Sequence, residues 1–414
     1  MARSLYIHIP FCDQICSYCD FPKISSKDQD IDAYLDALIA EIEIYRKMIH
    51  FDNNYNKLKT VYIGGGTPTA LTVKQLDKLF GYLHSIIEFE YLQEVSIEAN
   101  PESLNDIEKI NCLVKNGVTR VSLGVQTFQD DLLKILKRNH TKEDVIEVID
   151  KLSQADIEIN VDLIYSIPTQ TLAQLEDDLK VLLTLPITHV SAYSLILEEH
   201  TELHIAYTKD ELELLDNDLE ATMFETVINT LTHAGFSHYE ISNFTRGNRS
   251  FHNETYWKNE PYIGVGLGAH GQLKISPYEN MRKTDGHLPL PLLPIFRLSE
   301  LPERKRRYEN TRSITAYKKA LAQGDRPILN ERRLSTEEQI EESMFLGLRL
   351  LEGVRLHALK QKYKKSAYRL YEEKINKLLE LGYIDFEDPN WWQVIKLTKK
   401  GLMMANDVFE EFLL

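Results

Sequence analysis

Cysteine is scarce in this chain, with four in 414 residues. Basic residues are in deficit: 48 Lys plus Arg stand against 63 Asp plus Glu, a net charge of −15. That balance argues against a nucleic-acid binder, which needs clustered Lys and Arg for phosphates, though it does not exclude a local basic patch. No apolar run approaches the roughly 18 residues of a membrane span. The opening residues do not read as a signal peptide, because Pro10 and Cys12 fall where an apolar stretch would continue. A cytosolic chain is therefore expected, and such a chain has little use for disulfides.

What is present is a foldable composition, 43% hydrophobic and 27% charged, which excludes wholesale disorder. The length suggests two domains or one large barrel with additions. Strand-like runs at 5–9, 60–63, 95–97, 120–124, 157–164 and 189–195 alternate with helical spacings. Ile31, Leu35, Leu38, Ile42 and Tyr45 mark one helix face, and Leu76, Leu79, Phe80, Leu83 and Ile87 another. Helices are also expected at 107–114, from Asp130, at 172–183 and at 216–234, the last stopped by Gly235. Six such alternations predict an α/β fold of parallel strands and crossover helices, a barrel or a doubly wound sheet, with ligands at the carboxyl ends of the strands.

Residues 288–302 are proline-rich and read as a linker or insertion loop, followed by Arg304-Lys305-Arg306-Arg307, for which a solvated run is preferred over an anion site. Beyond 335 the pattern is helical, with a hairpin expected from 383–386 and 391–397 and a final helix near Thr398. That order suggests a winged-helix-like module. Its acidic end, Glu410 and Glu411, favours packing or a partner over DNA. The expected division is a barrel over 1–235, a connecting region over 236–330 and the C-terminal module over 331–414.

Three of the four cysteines fall within eight positions as Cys12-x3-Cys16-x2-Cys19, directly after the first strand. A tetrahedral zinc site wants four ligands, and no fourth Cys or His is suitably spaced. Three thiolates in one loop instead suit a cubane iron–sulfur cluster with one iron uncovered, walled from water by Tyr18 and Phe21. Cys112, in its own helix, reads as a small core residue. Gly64-Gly65-Gly66-Thr67-Pro68 ends the second strand and lets backbone approach a ligand closely.

With an aromatic before its last cysteine and this glycine run, the chain resembles the radical S-adenosylmethionine (SAM) superfamily. Ser96-Ile97-Glu98-Ala99-Asn100-Pro101-Glu102, Ser122-Leu123-Gly124-Val125-Gln126-Thr127-Phe128, Leu136-Lys137-Arg138-Asn139-His140 and Asn160-Val161-Asp162-Leu163-Ile164-Tyr165-Ser166-Ile167-Pro168 follow successive strands. They are similar to the branch holding oxygen-independent coproporphyrinogen III oxidase and the HemW group of haem chaperones. The resemblance implies a partial (β/α)6 barrel with a mostly helical, winged-helix-like C-terminal domain. It implies a [4Fe–4S] cluster on Cys12, Cys16 and Cys19. It places SAM against Tyr6, Tyr18, Gly65, Gly66, Thr67, Glu98, Gln126, Arg138 and Asp162.

Two departures separate the chain from the oxidase pattern: Asp20-Phe21 follows Cys19 where the oxidase has a further cysteine, and the cysteine motif lies at the very start. His252-Asn253-Glu254-Thr255-Tyr256-Trp257 matches the His-Asn-x-x-Tyr-Trp motif of the HemW group. That makes His252 a candidate haem ligand, although on chemistry alone a loop-ordering role is preferred. His270, in Gly266-Leu267-Gly268-Ala269-His270, is a second candidate. Ser166 and Gly271 stand where relatives usually carry Gly and Ser. The function implied is a haem chaperone that binds haem, the cluster and SAM and passes haem to acceptors such as membrane respiratory enzymes. The alternative is decarboxylation of coproporphyrinogen III.

Overall fold

The computed structural model describes residues 2–49, 58–275, 302–387 and 394–414. Most of the proline-rich stretch and both Trp391 and Trp392 lie outside them.

One twelve-stranded sheet organises the chain. Its first six strands in sequence are β1 (Ser4–Ile9), β2 (Thr60–Gly65), β3 (Glu94–Ala99), β4 (Arg120–Gln126), β5 (Glu158–Tyr165) and β6 (His189–Ser194). They lie side by side in that order and all run parallel. Every residue of β4 is buried, as expected of a strand covered on both faces. Helices pack outside: Leu35, Leu38, Ile42 and Tyr45 of helix Ile31–Ile49, and Leu76, Leu79, Phe80 and Leu83 of helix Val73–Ile86, join the strand residues in one core. Each such side chain removed from water contributes about 1.5–3 kcal/mol.

Capping boxes set where the loops end. Thr72 with Gln75, Thr141 with Asp144, and Thr171 with Gln174 open helices Val73–Ile86, Lys142–Ser153 and Leu172–Leu183. Each reciprocal pair satisfies otherwise orphaned backbone N–H groups, worth about 1 kcal/mol per cap. The strand-end loops between β2 and β6 are thereby held at defined lengths.

The sheet does not stop at six strands. β7 (Ser237–Glu240) and β8 (Asn243–Thr245) extend it beyond β6. On the other side β9 (Tyr262–Val265) pairs parallel with β1, followed by antiparallel β10 (His270–Lys274), β11 (Lys305–Asn310) and β12 (Ile328–Arg333). The arrangement is an open, partial barrel.

β11 corrects the reading of the basic run as solvated at one position, Lys305, while Arg304 is exposed and Arg306 and Arg307 are half-buried. Lys305 is fully buried, and its amine donates to the backbone carbonyl of Asn259 and to Asn259 Oδ1. Burial, reinforced by Lys362, pushes the amine down to about 7. Gly271 has an equally local cause. A Cβ there would fall 2.1 Å from the Tyr308 ring, so this chain fills with a tyrosine the space a serine would need.

The C-terminal region has its own core, built from Ile340, Met344, Tyr363, Ile375, Leu378, Ile395 and Phe412. It is mainly helical, with Ile384–Phe386 and Val394–Leu397 paired as a hairpin and Val354–Arg355 on the far side of the second strand. It docks on the barrel through Arg349, whose guanidinium lies 4.3 Å from the Trp257 ring centre, and through Asn259, which donates to Ser343 Oγ at 3.0 Å. Among the described residues no helix is long and apolar enough to cross a membrane.

Candidate functional site

The polar loops gather at the carboxyl ends of β1–β6, around a cavity of about 430 Å³. After β1 the chain makes a two-residue strand, Phe11–Cys12, which pairs with Ile24–Ser25 and closes the cysteine segment into a loop. Ser17 pins that loop to the helix Asp130–Ile135, its hydroxyl donating to Ile135 O at 2.7 Å. Cys12 is buried and Cys16 and Cys19 are half-buried, and all three line the cavity. Burial pushes the Cys12 thiol up to about 11 against a hydrogen bond from Thr67, with Cys19 and Cys16 adding to the rise. Burial raises Cys19 as well, opposed mainly by Lys23. Such thiols stay protonated until a metal displaces the proton.

Among the described residues no three Cys, His, Asp or Glu side chains converge on one point as a single metal ion needs. A cubane makes a different demand, one thiolate for each of three separate irons. The surroundings fit that larger group. Gly66 comes so close that a Cβ there would sit 2.9 Å from Cys12 Sγ and 2.8 Å from Phe11 O. The Gly66 and Thr67 amides donate to Ile9 O and Phe11 O, both at 2.8 Å, which fixes the glycine edge beside the cysteines. Tyr18 and Phe21 both line the cavity, Phe21 from its outer side, where it is 65% exposed.

Arg138 reaches in from beyond β4. Its Nη1 lies 3.3 Å from Cys16 Sγ, its Nη2 donates to Asn100 Oδ1 at 2.8 Å and to Gly124 O, and its Nε is buried without a partner. A bound carboxylate could take up that orphaned donor. Gln126, at the end of β4, has φ 68 beside a bulge in the β4–β5 pairing. A non-glycine residue held there is backbone strain of the kind that gathers at functional sites. Ser166 has φ 62 just past the end of β5, a left-handed conformation that glycine adopts most readily.

Of the four carboxylates among the described residues that line the cavity, Asp20 and Glu198 are exposed and two, Glu98 and Asp162, are buried in it. Glu98 accepts from Tyr62 Oη and from the Gly65 amide, each at 2.8 Å. Burial pushes it up to about 7 despite those two donors, with Asp162 adding to the rise. Asp162 accepts from Ser122 Oγ at 2.9 Å and Asn160 Nδ2 at 2.8 Å, and burial raises it also. Both suit hydroxyl-bearing ligands. Of the positions the resemblance assigns to SAM, Tyr6 alone does not line this cavity; its hydroxyl is engaged by His8 Nδ1 at 2.9 Å.

Tyr62, Ser191 and Tyr193 also line it and were missed from sequence. Their signal is a period of two: Arg120, Ser122 and Gly124 on β4, Asn160 and Asp162 on β5, and Ser191 and Tyr193 on β6 turn inward along buried strands.

His252 lies apart from the cavity lining. It is 1% exposed, its Nδ1 is 2.8 Å from Thr60 Oγ1, and its Nε2 is 2.8 Å from Tyr256 Oη. Burial pushes the ring down to about 3, so it is neutral. Both nitrogens are committed, and the ring stacks on Tyr62 with 5.0 Å between centres. As placed, it is a strut inside the barrel.

Comparison with known proteins adds three findings. Residues 6–182 match the Radical SAM superfamily model, and residues 334–404 match the HemN C-terminal domain. The chain is 39% identical to the heme chaperone HemW of Lactococcus lactis, covering all of this chain and 97% of that one. It is 38% identical to the heme chaperone HemW of Bacillus subtilis, covering 99% of each. Among solved structures it superposes on the coproporphyrinogen III oxidase HemN of Escherichia coli with a TM-score of 0.77 at 20% identity, over 99% of this chain and 89% of that one. At that identity the likeness shows the fold.

Proposed function

The chain belongs to the HemW family of radical SAM proteins, and on that premise we propose that it is a haem chaperone, carrying a [4Fe–4S] cluster and SAM and passing haem to acceptor proteins such as membrane respiratory enzymes. The observation that carries the cofactor part is the cavity itself, lined together by three cysteines, a glycine edge and two buried carboxylates, Glu98 and Asp162. When bound, the cluster would supply an open iron for the amino and carboxylate groups of SAM, and a source of single electrons.

The chain's own residues do the rest. Cys12, Cys16 and Cys19 hold three irons. Gly65 and Gly66 present a backbone edge to the methionyl end, and Arg138 meets its carboxylate with a planar fork. Glu98 and Asp162 accept from ribose hydroxyls. Tyr18, Thr67 and Gln126 enclose the ligand between the cysteine loop and β4.

The experiment is to rebuild the cluster in the full chain without oxygen and titrate haem. Saturable, near-stoichiometric binding, followed by loss of haem to an apo-acceptor, supports the proposal. Absence of saturable binding contradicts it. A parallel assay for protoporphyrinogen and CO₂ from coproporphyrinogen III decides against the oxidase reading if no turnover occurs, and for it if product accumulates catalytically.

A further inference from the structure

Asn100 follows Ala99, the last residue of β3, and lines the first cavity, yet the resemblance gives it no part in SAM binding. Pro101 comes next, and a residue before proline is confined to extended backbone. Asn100 conforms, with φ −107 and ψ 149. Ser103 then locks that backbone, its amide donating to Asn100 O at 3.0 Å and its hydroxyl to the same oxygen at 2.9 Å.

The Asn100 side chain stands between two residues that reach the cysteine loop. Its Oδ1 accepts from Arg138 Nη2 at 2.8 Å, and its Nδ2 donates to Thr67 Oγ1 at 3.2 Å. Beyond those two residues lie two sulfurs. Arg138 Nη1 is 3.3 Å from Cys16 Sγ, and Thr67 Oγ1 donates to Cys12 Sγ at 3.8 Å. Gly124 leaves room for the arrangement: a Cβ there would fall 3.1 Å from Arg138 Nη2 and 3.2 Å from Asn100 Oδ1.

The polarity of this chain of bonds follows from the groups in it. A guanidinium has donors only, so the amide must turn its oxygen to Arg138. Its NH2 is then left for Thr67. A hydroxyl carries one hydrogen, and Thr67, accepting from Asn100, gives that hydrogen to Cys12. The Thr67 bond accordingly opposes the burial that raises the Cys12 thiol. One amide thus directs donors at two of the three clustered cysteines, while Cys19 stands outside the chain of bonds.

We propose that Asn100 is a positioning residue that holds Arg138 and Thr67 as donors to Cys16 and Cys12, and thereby raises the reduction potential of a cluster bound there. This rests on the cofactor reading and deepens it. Donors to ligand sulfurs favour the reduced, more negative state. Aspartate is nearly the same shape as asparagine but, when ionised, only accepts. In Asn100→Asp the bond from Arg138 survives, and the Thr67 hydrogen is drawn to the carboxylate and away from Cys12.

The test is an anaerobic redox titration of the reconstituted full chain, with iron content and melting temperature measured alongside. It compares the natural chain, Thr67→Val, Thr67→Ser, Asn100→Asp and the double variant of Thr67→Val with Asn100→Asp. No cysteine is touched, so iron is expected in all. Thr67→Val should lower the reduction equilibrium by about tenfold, about 59 mV for one electron, and Thr67→Ser should restore it. Asn100→Asp should lower it at least as far. The double variant should lie no lower than Asn100→Asp, because the hydroxyl has already turned away. An unchanged potential in Thr67→Val or Asn100→Asp, or losses that simply add in the double variant, overturns the inference while the cluster stands. Loss of iron and of melting temperature together in Asn100→Asp marks a packing role and counts against it as well. If the natural chain assembles no iron–sulfur cluster, the cofactor reading itself falls.

Discussion

Arg138 Nη1 lies 3.3 Å from Cys16 Sγ, so one guanidinium touches a proposed cluster ligand while its other amino group holds the β3 loop through Asn100. This contact joins the cysteine loop to the strand ends across the cavity. Arg138→Lys keeps the charge and loses the fork. The cluster should still assemble, and SAM affinity should fall by about tenfold, roughly 1.4 kcal/mol, in equilibrium binding. Unchanged affinity would remove Arg138 from the SAM site.

Gly66→Ala puts a methyl within 2.9 Å of Cys12 Sγ and 2.8 Å of two backbone atoms. Backbone cannot yield as a flexible side chain does. The variant should lose about 1–3 kcal/mol in thermal or denaturant unfolding and retain less iron after reconstitution. A variant with full stability and full iron content would show that the glycine edge does not crowd the cysteines.

Glu98 links stability to pH. Its folded value of about 7 is raised above the ordinary 4.5. Between those values the folded chain keeps a proton that the unfolded chain has released, so this stabilisation is present at low pH and is lost as pH rises through 7. Glu41, also pushed up to about 7 by burial, acts in the same direction. The metal-free chain should melt lower at about pH 8 than at about pH 5, and Glu98→Gln should lose less over that range. Parallel melting curves for the two chains would refute the raised value.

Gly271→Ser would bring a Cβ to 2.1–2.3 Å from Tyr308 side-chain atoms. Tyr308 is itself buried and bonded through its hydroxyl to Gly264 O at 2.9 Å, so it has no room to retreat. A loss of about 1–3 kcal/mol is expected, and Tyr308→Phe should not relieve it because the clash is with ring carbons too.

The central barrel was legible because its signal is periodic. Six apolar runs with helices between them dictate parallel strands; Gly65, Glu98 and Gln126 fall where three of those strands end, Cys12 just beyond the first, and Asp162 inside the fifth. The outer strands were not legible. β9 has four residues and is paired with β1 from more than 250 positions away, a choice set by tertiary packing that no local pattern announces. Lys305 read as solvent-facing because lysine rarely buries; the carbonyl and amide oxygens of Asn259 accept from its amine, and Glu303, Glu260 and Glu342 offset part of the cost of its burial. His252 was identified as a residue of consequence, but its two partners, Thr60 and Tyr256, could be seen only in three dimensions.

Metal content of the chain purified and reconstituted without oxygen tests the central claim most directly. The account predicts about four irons and four acid-labile sulfides per chain, with the brown absorbance abolished in Cys16→Ala. Zinc in place of iron, no bound metal, or iron and colour retained in Cys16→Ala would contradict it.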